Sequence, residues 1–298
     1  MTGIYSNLTA QLDKLRKHNR QGSIKTKARY YEAMKRFCRF LAEEYRLEKL
    51  ANIAPKHLHS YTDHLKESGK APSTIKTDLA AIRFWHDKIS APRHKLPSNE
   101  AFDLERRTTG NLDRTWSDDE FDKMLQIAKG NNRTDYATAL HLAYHAGLRI
   151  EECFTLDTAM SEYALRSGAI TFHGKNGRWR TVPIDENIAK VLQKRLTQVK
   201  RGSKLLTPDD MTVENAIHNF QGFIERHRGM VESPNRQTPL TAHGLRHSYA
   251  CRQYLNFLDK GNSQDHALRK VSRLLGHNRP GVVRVYLAGV LDGGDGDV

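Results

Sequence analysis

Three stretches in the second half of the 298-residue chain gather side chains suited to holding a phosphate. In AYHAGLRIEECFTL, Arg149 follows Gly147, a break after a helix with Tyr136, Leu140 and Tyr144 on one face. A guanidinium emerging there grips a phosphate through two nitrogens; its plainer role is an ion pair with Glu152. In TAHGLRHSYA, His243 and Arg246 are three apart and share a helix face. His247, four after His243, has the spacing of a zinc-binding helix. Gly244, however, stands where a zinc protease needs glutamate, and no further ligands follow. The plainer role of this pair is polar surface. In LLGHNRPGVVRVYL, Gly276 and His277 end a helix whose periodic residues include Val271, Leu274 and Leu275. Asn278, Arg279 and Pro280 forbid a simple continuation, and Val282, Val283 and Val285 lead into Tyr286. The plainer reading makes those valines core and the tyrosine their edge.

The elements that must position these groups are mostly helices. In SIKTKARYYEAMKRFCRFLAEEY, Ser23 caps a helix with Ile24, Ala28, Tyr31, Met34, Phe37, Leu41 and Tyr45 at helical spacing. Lys25, Arg29, Arg36 and Arg39 form a basic stripe on another face. A second helix starts near Pro55. A third follows APST, with Ile75, Leu79, Ile82, Trp85 and Ile89 as its apolar stripe. No strand pattern precedes residue 110. Residues 90–115 break the periodicity and read as a connection between domains. Ser117 with Glu120 then forms a capping-box pattern, and Trp116 with Phe121 a hydrophobic staple. Residues 168–184, GAITFHGKNGRWRTVPI, alternate around a GKNG turn and predict a β-hairpin. ENIAKVLQKRL resumes helical spacing, and the last twelve residues read as frayed.

Composition sets the class of partner. Lys and Arg number 48 against 34 acids, a net charge of +14. The excess is concentrated: residues 1–110 carry 22 basic and 12 acidic groups. A basic half attracts a phosphate backbone; its plainer role is a lysine-rich soluble face. No apolar run approaches a membrane span, and the N-terminal stretch lacks the apolar core of a secretory signal. Cys38, Cys153 and Cys251 lie far apart and read as buried thiols of a reducing cytoplasm.

In combination, these stretches resemble the tyrosine recombinase family, the phage-integrase and Xer group. AGLRIEE is similar to its first arginine box, TAHGLRHSYA to its second and LLGHNRPGVVRVY to its third. The nine-residue step from His277 to Tyr286 matches the family spacing. Lys175 sits where the family places its hairpin lysine. The first half, with STIKTDLAAIRFW, resembles the helical core-binding domain. The resemblance thus covers nearly the whole chain. It implies a mainly α protein with a small β-hairpin insertion. A helical SAM-like core-binding domain (1–105) and a short boundary (106–112) precede an α+β catalytic domain (113–298).

The implied chemistry is DNA cleavage through a covalent 3′-phosphotyrosine, then rejoining to another strand. Tyr286 is the expected nucleophile. Arg149 and Arg246 clamp the non-bridging oxygens. Lys175 protonates the leaving 5′ oxygen, and His243 serves as acid/base, since a phenol holds its proton at neutral pH. His277 donates to a phosphate oxygen, and Glu152 orients the site. The cationic set stands where a metal would otherwise act, so no metal, cofactor or ATP is implied. The expected partner is a double-stranded core site with inverted half-sites, gripped by a C-shaped clamp. A homo-tetramer forms in synapsis, a monomer in free solution, with a possible accessory DNA-bending or directionality factor. Lys25, Arg29, Arg36, Arg39, Lys76 and Arg83 are the DNA-contact candidates.

Ala242 departs from the proline common in relatives, and the tail after Tyr286 is short and acidic at its end. LAGVL is either a stub of the docking helix of longer relatives or a sign of another contact between protomers. With only twenty or so residues before the first strong helix, a simple recombinase acting on short core sites, without an arm-binding domain, is the expectation. The expected role is integrase or excisionase of a phage or other mobile element, in the cytoplasm. The alternatives are a Xer-type resolvase of chromosome or plasmid multimers and, outside enzymes, a catalytically silent DNA-binding regulator.

Overall fold

The computed structural model describes residues 3–105, 112–173, 179–276 and 280–291. They fall into two compact units, Met1–Thr108 and Thr109–Val298. Both are chiefly helical; among the described residues the strands are one antiparallel pair.

The first unit packs α1 (Gly3–His18), α2 (Ile24–Glu44), α3 (Pro55–Glu67) and α4 (Pro72–His86). Helix α1 lies in the segment that sequence pattern treats as a mere lead-in. Its Leu8 and Leu12 are fully buried with Tyr5 beside them, and Ile4 and Leu15 pack at the margin, so a stripe at helical spacing docks it. Ser23 caps α2 as expected, its hydroxyl accepting from the Thr26 N–H at 3.2 Å. The predicted stripe is wrong in the first turn: Ile24 is 86% exposed and Ala28 is exposed. The helix meets the core from Tyr30 and Tyr31, which are half-buried against it, and then through Met34, Phe37, Cys38, Phe40, Leu41 and Ala42. Pro55 opens α3, and the Ala54 N–H that would otherwise be orphaned donates to His57 Nδ1 at 2.9 Å. Ile75, Leu79, Ile82 and Trp85 of α4 complete the core, each worth about 1.5–3 kcal/mol when fully buried.

Residues 90–105 are not free connection. Phe102 is buried, Leu96 and Leu104 pack on the same core, and Arg83 donates to the Pro97 carbonyl at 3.0 Å. These apolar residues follow no period because each packs from an irregular chain. Residues 106–111 lie outside the described residues.

The second unit runs α5 (Asp118–Gly130), α6 (Thr134–His145), α7 (Ile150–Thr155), α8 (Thr158–Ser167), β1 (Ala169–His173), β2 (Trp179–Pro183), α9 (Glu186–Leu196), α10 (Val213–His227), α11 (Ala242–Asp259), α12 (Gln264–Leu274), α13 (Pro280–Val283) and α14 (Ala288–Leu291). The capping box at Ser117 and Glu120 is formed in both directions, and Trp116 and Phe121 are buried in one core. The hairpin pairs Ile170 with Val182 and Phe172 with Arg180; its GKNG turn, and Lys175 with it, lies outside the described residues.

Helix α11 carries His243, Arg246 and His247. Ten of its residues are buried, from Ala242 to Tyr254, so it is wrapped by protein on several sides. Its Leu245 belongs to the main core, while Tyr249, Ala250 and Tyr254 share a second cluster with Val271, Val283, Tyr286 and Leu287. Residues 287–291, expected to fray, are instead ordered: Leu287 and Ala288 are buried and Ala288–Leu291 is helical. Residues 292–298 lie outside the described residues. All three cysteines are buried and unpaired by disulfide.

Candidate active site

Arg149 sits one residue ahead of α7, just after the turn at Gly147. That turn requires glycine: its φ is +60°, and a Cβ would come within 2.2 Å of the Tyr249 ring. The Glu152 carboxylate closes the start of α7, accepting the Arg149 N–H at 2.7 Å on Oε2 and Arg149 Nη1 at 2.8 Å on Oε1. The ion pair anticipated as the plainer alternative is thus real, yet Arg149 remains 40% exposed at its side chain. Its Nη2 donates to the Leu275 carbonyl at 3.1 Å.

Arg246 is not polar surface. It is 1% exposed, and its two terminal nitrogens donate to the carbonyls of Gly147 and Leu275. The Leu275 carbonyl therefore accepts from both arginines, which joins the first and second boxes at the end of α12. Arg246 Nε is buried with no acceptor among the described residues. Burial, with Arg180 and Arg149 as neighbouring like charges, pulls Arg246 down to about 9.

A third guanidinium joins them. Inward alternation along β2 buries Arg180 between the exposed Trp179 and Thr181. It donates to Glu152 Oε2 at 2.5 Å, to Gly147 O at 3.1 Å and to Leu274 O at 2.8 Å. Burial pushes the Glu152 carboxyl up, but Arg180, the Arg149 N–H and the Arg149 charge outweigh it and hold it below its ordinary value. Gly276, at φ +64°, leaves space for Arg180, whose Cδ would lie 2.7 Å from a Cβ there.

Tyr286 faces the imidazoles of α11. Its ring centroid is 5.5 Å from His243 and 4.5 Å from His247, and those two rings are 5.1 Å apart. Tyr286 is 8% exposed, and its carbonyl accepts from the Cys251 thiol at 3.2 Å. Burial first, then the charges of Arg246, Arg114 and Arg149, lower His243. Burial and the adjacent His243 lower His247 to about 3, so both rings are disposed to be neutral.

The structure thus brings together Arg149, Glu152, His243, Arg246 and Tyr286; Lys175 and His277 lie outside the described residues. Sequence reading missed Arg180 and weighed His247 only as a metal ligand. An arginine at an inward strand position was the available signal for the first.

The DNA-contact candidates of the first unit differ in how they are engaged. Lys25 and Arg29 are exposed on α2. Arg36 bonds the buried Asp78 at 2.8 Å, and Arg39 lies 5.5 Å over the Tyr5 ring. Lys76 donates to Glu105 O at 2.6 Å, and Arg83 to Pro97 O and Asn99 Oδ1. Among the described residues no helix is long and apolar enough to cross a membrane.

The phage integrase family profile matches residues 114–289, and the phage integrase N-terminal SAM-like domain matches residues 12–88. These matches over most of the chain define a DNA strand transferase. More narrowly, the chain belongs to the phage integrase family and is a tyrosine recombinase, an enzyme of site-specific recombination. Tyrosine recombinase XerD of Halalkalibacterium halodurans is 26% identical over 265 residues, covering 86% of this chain and 84% of the relative. Tyrosine recombinase XerC of Roseiflexus is 24% identical, covering 88% and 82%. Among solved structures, the Tn1549 transposon integrase in complex with circular intermediate DNA superposes with TM-score 0.61 at 15% identity, covering 96% of this chain and 95% of that one. A lambda integrase tetramer bound to a Holliday junction superposes at 0.64 and 17% identity, covering 94% and 76%.

Proposed function

We propose that this recombinase cuts a duplex core site with Tyr286 as nucleophile, holds the 3′ phosphate as a phosphotyrosine, and rejoins it to a second strand. The observation that carries this reading is the seating of Tyr286 against His243, on the helix that also holds Arg246. A neutral His243 is the form able to take the phenolic proton. Arg149 and Arg246, cross-linked through one carbonyl, act as the clamp on the non-bridging oxygens. Arg149 and Arg180 pair with the single carboxylate of Glu152, and Arg246 lies within reach of its charge, an excess of positive charge that suits an anionic phosphodiester. Glu152 orients Arg149. Lys175 protonates the leaving 5′ oxygen and His277 donates to the phosphate. Tyr286 is turned toward its own chain's histidines, which supports attack on the half-site bound by the same protomer.

The expected partner is duplex DNA with inverted half-sites, bound by a monomer in solution and synapsed by a homo-tetramer in the cytoplasm. The DNA-bound neighbours, one of them a tetramer on a Holliday junction, support this. The basic first unit contributes non-specific attraction through Lys25, Arg29 and Arg39, with Arg36, Lys76 and Arg83 holding the surface in shape. An accessory DNA-bending or directionality factor sets the direction of the reaction. The role proposed is integration or excision of a mobile element. Resolution of replicon multimers is the second reading, and the XerC and XerD relatives favour it. The deciding experiment is sequencing of DNA covalently retained on the protein from its host. Fragments from the ends of one mobile element support the first reading. Fragments from a single chromosomal or plasmid site without flanking element genes support the second. Bound but never covalently retained DNA would favour a silent regulator.

A further inference from the structure

Arg180 takes no step of the reaction proposed above beyond adding positive charge, yet it ties the site together. Its side chain is 5% exposed, and its nitrogens reach three separate segments. Nε donates to Leu274 O, Nη1 to Glu152 Oε2 and Nη2 to Gly147 O. Two of those segments flank Arg149. Glu152 is shared: Arg149 Nη1 occupies Oε1, while Arg180 Nη1 and the Arg149 N–H occupy Oε2.

We infer that Arg180 is a positioning residue for DNA cleavage, fixing the Glu152 carboxylate and through it the guanidinium of Arg149. The inference rests on the reading of Arg149 as a phosphate ligand. A carboxylate held by one flexible arginine can turn with it. Held on both oxygens by two cations and a backbone N–H, it becomes a fixed support for the more exposed partner. Charge gives a second reason. Glu152 alone would neutralise Arg149 and weaken its grip on phosphate. Arg180 balances the carboxylate, so Arg149 is oriented while the cluster keeps its net positive charge.

The test uses the full chain and the core duplex recovered by the adduct experiment. Single-turnover formation of the protein–DNA adduct is measured for Arg180→Met, Arg180→Lys, Arg149→Lys and the double variant Arg149→Lys/Arg180→Met. Arg180→Met should slow the step by about 100-fold while the Kd for duplex changes less than about three-fold. In the double variant, the Arg180 change should add less than about three-fold to the loss of Arg149→Lys, because both act through one contact. Losses that multiply in full, or Arg180→Met cleaving at the wild-type rate, would overturn the inference and leave the phosphate role of Arg149 intact. Arg149→Lys cleaving at the wild-type rate would overturn both. Should Arg180→Met fail to fold, the same cycle run with Arg180→Lys decides, by the same criterion of coupling.

Discussion

The His247 imidazole lies against the Tyr286 ring, with centroids 4.5 Å apart and planes inclined by 34°. His247 is 2% exposed, so Tyr286, the proposed nucleophile, is seated on a ring that folding keeps from charging. Burial lowers its pKa from 6.5 to about 3. Between those values the unfolded chain binds a proton that the folded chain refuses. Stability from this site is therefore full above pH 6.5 and falls as pH drops toward 3. The loss is at most about 1.4 kcal/mol per pH unit. Thermal melting at pH 7 and pH 5 should show a clear drop for the wild type and a smaller one for His247→Gln. Equal drops would remove His247 as the source.

Arg246 donates through two nitrogens to two carbonyls in a nearly closed site, a geometry an ammonium group cannot reproduce. Arg246→Lys should bind duplex DNA almost normally and lose about 100-fold or more in single-turnover adduct formation. A loss confined to DNA affinity would make Arg246 an ordinary binding residue.

For Lys175, the chemistry of the leaving group provides the check. Lys175→Ala should slow cleavage of an ordinary phosphodiester far more than that of a substrate with a 5′-bridging sulfur, which departs without a proton. Equal slowing of both substrates would remove the general-acid role.

Arg29 and Arg36 share a helix but should fail differently. Arg29→Ala should leave the melting temperature unchanged and reduce the salt dependence of DNA binding by about one phosphate contact. Arg36→Ala removes the partner of Asp78, a carboxylate whose side chain is 3% exposed. Arg36 is half exposed, so its loss should cost about 1–2 kcal/mol of stability rather than the full penalty of an enclosed pair. Melting curves and salt-titrated binding separate the two.

The local structure of the three stretches was legible because each joins a helix boundary to a charged residue. The turn at Gly147 exposes Arg149, Thr241 caps the helix that presents His243 and Arg246, and Gly276 ends α12 before the tyrosine segment. The hairpin was legible from alternation alone. The roles themselves came from resemblance to a family, not from spacing. Arg180 was hidden because a strand with an inward arginine differs from an ordinary amphipathic strand only when its acceptors are known, and those lie 28, 33 and 94 residues away in sequence. Helix α1 was missed although Ile4, Tyr5, Leu8, Leu12 and Leu15 recur at helical spacing and pack on the core. The exposed Ile24 misled in the opposite sense: helical spacing states which residues share a face, but not where along the helix its partner begins.

The central claim is that Tyr286 forms the bond to DNA. The most direct measurement is to digest the retained DNA to a short stub and locate the modified residue by mass spectrometry of the wild-type protein, beside Tyr286→Phe. The predicted result is a nucleotide mass on the peptide containing Tyr286, with no adduct in a Tyr286→Phe protein that still binds the site. A nucleotide on any other residue, or adducts that persist in Tyr286→Phe, would contradict it.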